Sequence, residues 1–538
     1  MTGHGPQDAY AERLAAAEPA AAKALEELTS RLALAPGGSP ATTDARGLLV
    51  RGLAYDSRLV RPGALFVAVP GEHVDGHSFV ADAAARGAVA AIVEHPVEAS
   101  IRQLVVPSSQ AALAVAAAWW YGDPSAELGV VGITGTDGKT STARLTASVL
   151  EAGGWQAGIV STIGGRIGGV DEDHPPHATT PQAPELQRAL RAMVAAGDRA
   201  AVVETTSHGL ALGRVNGVRY DHAVFTNLSH EHLELHGTFE GYRAAKRSLF
   251  ERLAIDDRNP MKAVPGWRRT GIVNLDDAAA PTFVAATREA GARLLSYGRD
   301  PAADLRLLEI SDDGHRLHVT WDGPAGRQAA ALQLAGSFNA YNALAAAAVG
   351  TAIDLDPAAV VAGLEGLPEV PGRMQRVELG QPFDVVIDYA HSPKSLELVL
   401  DELLPAAQAR GGALIAVFGS AGERDVEKRS MMGRIAAERC RLVIATDEDP
   451  RNEDPMAILD AIATGAESAG AVRGRSVLLI QDRGAAIREA MRAARPGDVV
   501  LLAGKGHENT IEIANGGALQ WDERAVTEDA LRELGHTG

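Results

Sequence analysis

Hydrophobic and polar positions follow one another along most of this chain in a pattern typical of α/β proteins. Short runs of β-favouring residues, such as the run before residue 135, precede longer segments in which apolar residues recur every three or four positions. The first pattern predicts buried strands and the second predicts amphipathic helices. From about residue 49 the two patterns alternate, with polar turns between them. We therefore predict an α/β fold with parallel sheets.

The same patterns divide the chain into four segments. Residues 1–45 are rich in alanine and charge, which predicts a helical or disordered extension without visible chemistry. Residues 46–127 predict a small α/β domain, and residues 128–368 predict a larger one. The proline-marked stretch 366–377 predicts a linker. Five β-rich runs within 369–538 predict a doubly wound parallel sheet.

Composition narrows the class of partner. Of 538 residues, 46% are hydrophobic and 22% are charged, as in ordinary globular proteins, and the length predicts about three or four domains. The formal net charge of −18 argues against nucleic acid and anionic membranes as partners, because both are bound by clustered lysine and arginine. An anionic ligand must therefore be held at a local site.

Targeting signals and cysteine content predict an intracellular setting. The first residues lack the basic start and apolar run of a signal peptide, and no apolar run approaches the ~18 residues of a membrane span. The single cysteine, Cys440, opens an apolar run and is predicted to be a buried, inert thiol. We expect a cytoplasmic enzyme, with a monomer as the favoured oligomeric state.

A glycine-rich loop joins the first strand and helix of the larger domain. Residues 130–142 read VVGITGTDGKTST, with three glycines before Lys139. Such a loop lets backbone N–H groups face a phosphate chain, and the following helix N-terminus adds unpaired donors. Lys139 is predicted to reach the outer phosphates, and Thr140 to bind Mg²⁺. A tight turn is the alternative interpretation, and Ile133 stands where the general phosphate-loop pattern has glycine.

Two later strands of this domain also end in polar residues. The run AAVV leads into Glu204, and the carboxyl end of a parallel strand is where nucleotide enzymes place an acidic Mg²⁺ ligand. The next strand is followed by His230, His232 and His236. Zinc is one interpretation of these histidines. Without cysteine or an HExxH arrangement, however, the local pattern favours solvated or structural histidines.

Polar clusters follow the predicted strands of the third domain as well. They lie at 388–391, 422–425, 447–451 and 504–508. One such cluster alone would be interpreted as a solvated turn. Because ligands bind beyond the carboxyl ends of parallel strands, four clusters at equivalent positions predict a binding site.

Together these motifs resemble the Mur ligases, the ATP-dependent amide-forming enzymes of peptidoglycan precursor synthesis. GITGTDGKTSTA is similar to the phosphate loop of that family, which accounts for Ile133, and the resemblance covers about residues 50–525. It implies three domains, with a central domain like the P-loop ATPases and a C-terminal Rossmann-like parallel sheet. Within the family the chain is most similar to the MurE type, which adds the third, diamino residue to UDP-N-acetylmuramoyl-L-alanyl-D-glutamate.

The resemblance assigns ATP and Mg²⁺ to the central domain. It implies four catalytic residues: Lys139, Glu204, His232 and Lys246. Lys246 is the counterpart of a lysine that the family carbamylates, and a carbamate would supply the anionic oxygens that Mg²⁺ prefers. The implied metal ligands are Thr140, Glu204, His232 and carbamylated Lys246. The implied ATP contacts are Gly135, Thr136, Asp137, Gly138, Lys139, Thr140, Ser141, Asn274, Asp277 and Asn339.

The resemblance also implies two sites for small-molecule substrates. The UDP-sugar dipeptide would contact Ser57, Thr179, Thr180, Ser207 and Arg214. The incoming amino acid would contact Arg424, Asp449, Arg451, Gly504 and Glu508. The chain departs from the family at Gln375, where glutamate is usual.

The diamino acid itself stays open at this point. Arg451 offers a guanidinium to a distal carboxylate, as in the ligases that use meso-diaminopimelate. Asp449 places an anion where those enzymes have a neutral amide, which favours the distal ammonium of lysine or ornithine. The two residues therefore favour different amino acids.

The implied reaction proceeds through an acyl phosphate. ATP phosphorylates the glutamyl γ-carboxylate of the dipeptide, and the amine of the diamino acid then displaces phosphate.

A D-alanyl-D-alanine-adding ligase or a folylpolyglutamate synthase is an alternative, but the combination of GERD, EDPR and GKGHE argues against both. A non-catalytic nucleotide-binding scaffold is a further alternative, which the intact Lys139, Glu204 and Lys246 oppose.

Overall fold

Three sheets built mainly of parallel strands organise the protein, as a computed structural model of the chain shows. The described residues are 6–34, 45–71, 74–172, 179–229, 236–256, 260, 262, 266–313 and 315–537. Among them, no helix combines the length and apolar character that crossing a membrane requires. Internal contacts divide the chain into one unit of 1–308, 320–328 and 341–364, and a second of 309–319, 329–340 and 365–538.

The elements before residue 128 are short. They are α1 (Pro6–Ala16), β1 (Lys23–Ala24), α2 (Leu25–Leu34), β2 (Leu49–Val50), β3 (Gly52–Ala54), β4 (Ala64–Val67), α3 (Val80–Ala85), β5 (Ala90–Val93), β6 (Arg102–Val105) and α4 (Ser109–Tyr121). Strands β3 to β6 form a parallel sheet in sequence order. Helix α4 begins where the Ser108 side chain accepts the N–H of Ala111, and its Trp119 and Trp120 are buried in the core beside this sheet.

The alanine-rich extension contributes to two cores of the first unit. Leu25, Leu28 and Leu32 of α2 are buried with the residues of the β3–β6 sheet. Tyr10 of α1 is instead buried in the core of the largest sheet. The described part of this segment is mostly helical, with the two-residue strand β1 before α2, and a helical extension was one of its two predicted alternatives. The spacing of the three leucines was the available signal for its burial.

The elements from residue 129 to 366 include the largest sheet. They are β7 (Gly129–Thr134), α5 (Lys139–Ala152), β8 (Ala157–Val160), β9 (Arg166–Ile167), β10 (Val170–Asp171), α6 (Ala183–Ala196), β11 (Ala200–Glu204), α7 (Ser207–Ala211), β12 (His222–Phe225), α8 (Phe239–Glu251), β13 (Thr270–Asn274), α9 (Ala280–Glu289), β14 (Arg293–Gly298), β15 (Leu305–Asp312), β16 (Leu317–Gly323), β17 (Gly326–Leu332), α10 (Asn339–Ala352) and α11 (Pro357–Gly366).

The order of the strands in this sheet positions the site. It is β10-β9-β8-β11-β7-β12-β13-β14-β15-β16-β17, with parallel pairing from β8 to β14. Strand β7 lies between β11 and β12, and all three are fully buried, as expected for strands covered on both faces. In the register of these parallel strands, Glu204 pairs with Ile133, and Phe225 pairs with Thr134. The segments after β7, β11 and β12 therefore start from one edge.

The second unit contains the third sheet. Its elements are β18 (Gln375–Arg376), β19 (Asp384–Asp388), α12 (Pro393–Ala409), β20 (Leu414–Phe418), α13 (Glu427–Ala437), β21 (Cys440–Ala445), α14 (Pro455–Ser468), β22 (Val477–Leu479), α15 (Arg483–Ala493), β23 (Val499–Ala503), β24 (Thr510–Ile513), β25 (Gly517–Gln520) and α16 (Glu523–Glu533). The strand order is β18-β19-β23-β20-β21-β22, and β18 alone of these pairs antiparallel. The predicted parallel sheet is confirmed, and its five runs correspond to β19 to β23.

Neighbouring residues of these strands are buried in separate cores. Val386 and Ala416 belong to one core, whereas Val385 and Ile415 belong to the other. Successive side chains of a strand point to opposite faces. Apolar cores on both faces explain why the strand sequences are continuously hydrophobic rather than alternating.

A buried ion pair joins two helices of the second unit. Arg483, at the start of α15, donates to Glu523, at the start of α16, at 2.6 Å, and neither side chain is more than 1% exposed. Arg483 also donates to the carbonyl of Ala503 at the end of β23, at 2.8 Å. A buried charge whose partner is removed is costly because it has already lost its hydration.

Replacing Glu523 with glutamine should therefore lower the free energy of unfolding by about 3–5 kcal/mol, since the Arg483 guanidinium loses its buried counter-charge. Denaturant unfolding followed by circular dichroism measures the change. The control is Asp529→Asn, which removes a partner of Arg532 on an exposed part of α16 and should cost about 0–1 kcal/mol. Equal losses in the two variants would contradict this account.

Candidate active site

The glycine-rich loop lies at the carboxyl edge of the largest sheet, between β7 and α5. Gly138 has φ = +80°, and a Cβ there would lie 2.4 Å from the side-chain oxygen of Asn342. A Cβ at Gly135 would lie 1.9 Å from the Thr226 hydroxyl. Both positions therefore require glycine, the first for its backbone conformation and both for close approach.

Residues after β12 hold this loop. The Thr226 hydroxyl donates to the Asp137 carbonyl at 2.7 Å. The Asn227 side chain accepts the N–H of Asp137 and donates to its carbonyl, each at 3.0 Å. Thr226 and Asn227 were not among the predicted site residues, although their position after a buried strand was an available signal. Their bonds fix a loop whose backbone N–H groups suit a phosphate chain.

Two of the predicted catalytic lysines meet at the loop. Lys139, the first residue of α5, donates to the Thr136 carbonyl at 2.7 Å. Lys246 of α8 is 2% exposed and donates to the Gly135 carbonyl at 2.6 Å. Its ammonium also lies over the Tyr242 ring, 4.4 Å from the centroid, where a cation is attracted by the aromatic face. The structure therefore brings both lysines to one phosphate loop.

Glu204 ends β11 beside this loop and is 2% exposed. Its carboxylate accepts hydrogen bonds from the Thr140 hydroxyl at 3.1 Å and from the hydroxyl and backbone N–H of Thr162 at 3.0 Å each. Within the described ranges, no lysine, arginine or histidine is ion-paired with it. Burying an uncompensated carboxylate is costly. The site therefore suits a cation, and its oxygen donors are the kind that Mg²⁺ prefers.

Thr162 was missed by the sequence reasoning. It lies in the connection from β8 to β9, and no phosphate-loop or strand-end pattern marks it. Its two bonds to Glu204 link positions 42 residues apart in the chain. Only the fold reveals this contact.

The three histidines after β12, of which only His232 was a predicted metal ligand, can be followed only in part. His230 and His232 lie outside the described residues. Inside those residues, no group of three or more His, Cys, Asp or Glu side chains could hold a metal ion. Burial and the Lys246 charge lower the pKa of His236, which favours the neutral form of this imidazole.

Four of the five predicted contacts to the UDP-sugar dipeptide gather near Glu204: Thr179, Thr180, Ser207 and Arg214. The Thr180 hydroxyl donates to the Glu204 carbonyl at 2.9 Å, and Arg214 donates to the Thr180 carbonyl at 2.9 Å. Ser207, the first residue of α7, is 1% exposed. Ser57 lies instead in a short 3₁₀ turn after β3, where it is also buried.

The remaining predicted ATP contacts lie at element ends, where all are buried except the half-buried Asp277. Thr140 and Ser141 lie in the first turn of α5. The Asn274 amide donates to the Thr226 carbonyl at 2.8 Å, and Asp277 accepts the N–H of Leu228 at 2.9 Å. These two bonds tie the end of β13 to the segment after β12. Asn339 begins α10 and is 2% exposed. Contact of these side chains with ATP stays a prediction.

The predicted amino-acid site lies at the carboxyl ends of strands in the second unit. Gly504 follows β23 with φ = +101°, and a Cβ there would lie 2.8 Å from the Glu448 carboxylate. Next to it, Lys505 is fully buried and pairs with Asp449 at 2.9 Å and with Glu508 at 2.6 Å. Burial alone would lower the pKa of Lys505, but Glu508 and Asp449 outweigh it and raise that pKa. The ammonium is therefore charged.

Arg451 occupies a different charge environment in the same unit. Its φ of +51° is unusual for a residue with a side chain. Its guanidinium donates to the Glu512 carboxylate at 2.7 Å and to the Gly422 carbonyl at 3.0 Å. Arg424 is exposed in the loop after β20. Neither Lys505 nor Glu512 was among the predicted site residues, although Lys505 stands inside the motif GKGHE.

Family models match most of the chain. The model described as Mur ligase family, catalytic domain, matches residues 49–119. The Mur ligase middle domain matches residues 133–350. The model described as Mur ligase, glutamate ligase domain, matches residues 372–506. The three matches follow the order of the three sheets.

Known proteins are similar to this chain over nearly its whole length. A UDP-N-acetylmuramyl-tripeptide synthetase from Roseiflexus sp. (strain RS-1) is 46% identical over 91% of this chain and 96% of its own. A UDP-N-acetylmuramoyl-L-alanyl-D-glutamate–2,6-diaminopimelate ligase from Solibacter usitatus (strain Ellin6076) is 41% identical over 90% and 94%. A solved structure with that ligase name is 29% identical, covers 96% of this chain and 100% of its own, and has a TM-score of 0.65. The chain therefore belongs to the Mur ligase family of ATP-dependent amide-forming ligases.

Proposed function

We propose that this protein joins 2,6-diaminopimelate to UDP-N-acetylmuramoyl-L-alanyl-D-glutamate, with ATP converted to ADP and phosphate, in cytoplasmic peptidoglycan precursor synthesis. The observation that carries the proposal is the buried carboxylate of Glu204. It accepts hydrogen bonds from Thr140 of the phosphate-loop helix and from Thr162, whose hydroxyl also lies 3.0 Å from that of Thr179, one of the residues assigned to the dipeptide. The names of the two relatives, a tripeptide synthetase and a 2,6-diaminopimelate ligase, support the same substrates.

The phosphate loop supplies the ATP half of the site. Its backbone N–H groups bind the phosphate chain, and Lys139 leaves the Thr136 carbonyl to reach the outer phosphates. Thr140 and Glu204 would hold Mg²⁺, with His232 and, once carbamylated, Lys246 added by the family resemblance. When bound, the ion would supply positive charge where negative charge develops on the transferring phosphoryl group.

The dipeptide then reacts in two steps. Its glutamyl γ-carboxylate attacks the γ-phosphorus of ATP in line, so that ADP leaves and an acyl phosphate forms. The amine of the diamino acid attacks the acyl carbon, and the tetrahedral intermediate expels phosphate to leave an amide. Thr180 and Arg214, which meet beside Glu204, hold the dipeptide next to the γ-phosphate. Holding the reactants in this geometry supplies much of the rate enhancement.

Charge pairing in the second unit supports 2,6-diaminopimelate as the amino acid. Asp449, which was expected to attract a distal ammonium, is instead paired with buried Lys505, an ammonium that it shares with Glu508. Arg451 and Glu512 instead present opposite charges side by side. The distal end of 2,6-diaminopimelate carries a carboxylate and an ammonium, so it matches this pair. Lysine and ornithine carry only the ammonium and would leave the guanidinium without a carboxylate.

Phosphate release across a panel of amino acids tests the proposal. With ATP and the UDP-linked dipeptide present, meso-diaminopimelate should support turnover about 100-fold or more better than lysine, ornithine or diaminobutyrate, because unmatched polar groups discriminate strongly. Comparable turnover with lysine or ornithine would overturn the choice of amino acid alone. No phosphate release with any of the four would overturn the ligase assignment.

Arg451→Ala tests the source of this selectivity. Turnover with meso-diaminopimelate should fall about 100-fold, since the distal carboxylate loses its charged donor, while the slow turnover with lysine should change little. Arg473→Ala is the matched control, because Arg473 pairs with Asp460 and Glu467 on the surface of the same unit. An equal loss with both amino acids would contradict a role in selectivity.

A further inference from the structure

Helix α1 of the extension docks on the two-stranded ribbon formed by β9 and β10. Tyr10 is 8% exposed, and its ring packs against Gly165, with the ring carbon Cζ 3.0 Å from where a Cβ on Gly165 would lie. Arg13 donates to the Ile167 carbonyl. Leu14 packs on the same core as Tyr10. These contacts come from a segment that precedes residue 49, where the first family match begins.

The ribbon in turn adjoins the proposed metal site. It continues from the loop 161–165. In this loop the backbone N–H and the hydroxyl of Thr162 each donate a hydrogen bond to the Glu204 carboxylate. At its other end, Asp171 pairs at 2.6 Å with Arg144 of α5, the helix that starts at the phosphate loop. The ribbon therefore connects α1 to the carboxylate and to the phosphate-loop helix.

We propose that α1 is a positioning element of the catalytic centre, with Tyr10 and Arg13 as its positioning residues. By fixing the ribbon they fix Thr162, and Thr162 sets the direction in which the Glu204 carboxylate faces Thr140. The inference rests on the metal-binding role proposed above for Glu204. Groups that orient a metal ligand affect metal affinity or activity by about 10–100-fold when they are removed. Thr162 contacts the carboxylate itself, whereas Arg144 lies in α5 beyond the first turn that carries Lys139 and Thr140. The effect of α1 is therefore expected on Mg²⁺ dependence rather than on ATP binding by the loop.

Substitutions in the full-length protein test this role. Tyr10→Ala and Arg13→Ala should each raise the Mg²⁺ concentration for half-maximal phosphate release by about tenfold, with KM for ATP unchanged. Without nucleotide or metal, amide hydrogen exchange in the peptide 161–172 should become faster in both variants. Tyr10→Phe keeps the packed ring and should restore wild-type exchange and Mg²⁺ dependence. Ala15→Ser, on an exposed face of α1, is the control that should change neither.

Three outcomes would overturn the proposal. Faster exchange in 161–172 with unchanged Mg²⁺ dependence would show that the ribbon is supported but the catalytic centre is not. Unchanged amide hydrogen exchange in 161–172 would show that α1 does not support the ribbon at all. Lower activity with a lower unfolding temperature and unchanged Mg²⁺ dependence would assign α1 to folding alone. Failure of the underlying metal role is distinguishable, because Glu204→Gln would then keep wild-type activity and Mg²⁺ dependence.

Discussion

Lys139→Ala should lower ATP-dependent phosphate release by about 10³-fold, close to the loss expected when a preorganised charge at the reacting centre is removed. Lys139 begins α5 directly after Gly138, and its ammonium already lies within the loop, on the Thr136 carbonyl. Alanine keeps the helix and removes only the charge that would face the outer phosphates. Saturating ATP, dipeptide and diamino acid isolate this effect on kcat.

The control for this loss is Lys394→Ala. Lys394 is exposed on α12 of the second unit, where it pairs with Glu397. This substitution should leave kcat and the unfolding temperature unchanged. A Lys139→Ala protein that turned over at the wild-type rate would contradict the assignment of the phosphate loop.

Glu204→Gln should lower kcat by about 10²–10³-fold and yet leave the protein as stable as the wild type or more stable. Glutamine has the same shape and still offers an oxygen to Thr140 and Thr162, but it removes the negative charge that would hold Mg²⁺. In the absence of metal, that charge is buried without a cationic partner among the described residues, so its removal relieves a desolvation cost. Thermal unfolding without Mg²⁺ and turnover with Mg²⁺ measure the two effects.

The opposite signs of these two effects distinguish a functional carboxylate from a structural one. If Glu204 served mainly to hold Thr162 and Thr140 together, its replacement would lower stability and activity in parallel. Glu289→Gln, at an exposed position on α9, is the control and should change neither quantity. A lower unfolding temperature for Glu204→Gln would contradict the proposed role.

Local sequence was sufficient for most of the fold. Runs such as 200–203 and 414–418 are continuously apolar because both faces of their strands are covered, and that pattern is visible without a structure. The phosphate loop was equally visible, because Gly135 and Gly138 meet steric limits that glycine alone satisfies. Features of this kind depend on neighbours in the chain.

Features that depend on distant partners were not predictable. Asp449 was expected to attract the distal ammonium of the amino acid, but its carboxylate pairs with Lys505, which lies 56 residues later in the chain. The contact of Thr162 with Glu204 and the docking of Tyr10 on Gly165 likewise join segments that share no local pattern. Long-range pairing of charges decides what a side chain offers to a ligand, and sequence spacing alone does not reveal it.

Transfer of an ¹⁸O label from the dipeptide to phosphate tests the acyl-phosphate mechanism most directly. The glutamyl γ-carboxylate of the UDP-linked dipeptide is labelled with ¹⁸O, and the enzyme is supplied with ATP, Mg²⁺ and meso-diaminopimelate. If the carboxylate attacks the γ-phosphorus, one labelled oxygen leaves with phosphate, and mass spectrometry will find one ¹⁸O in each phosphate formed and one in each amide product. Phosphate without label, formed alongside the amide, would contradict an acyl-phosphate ligase.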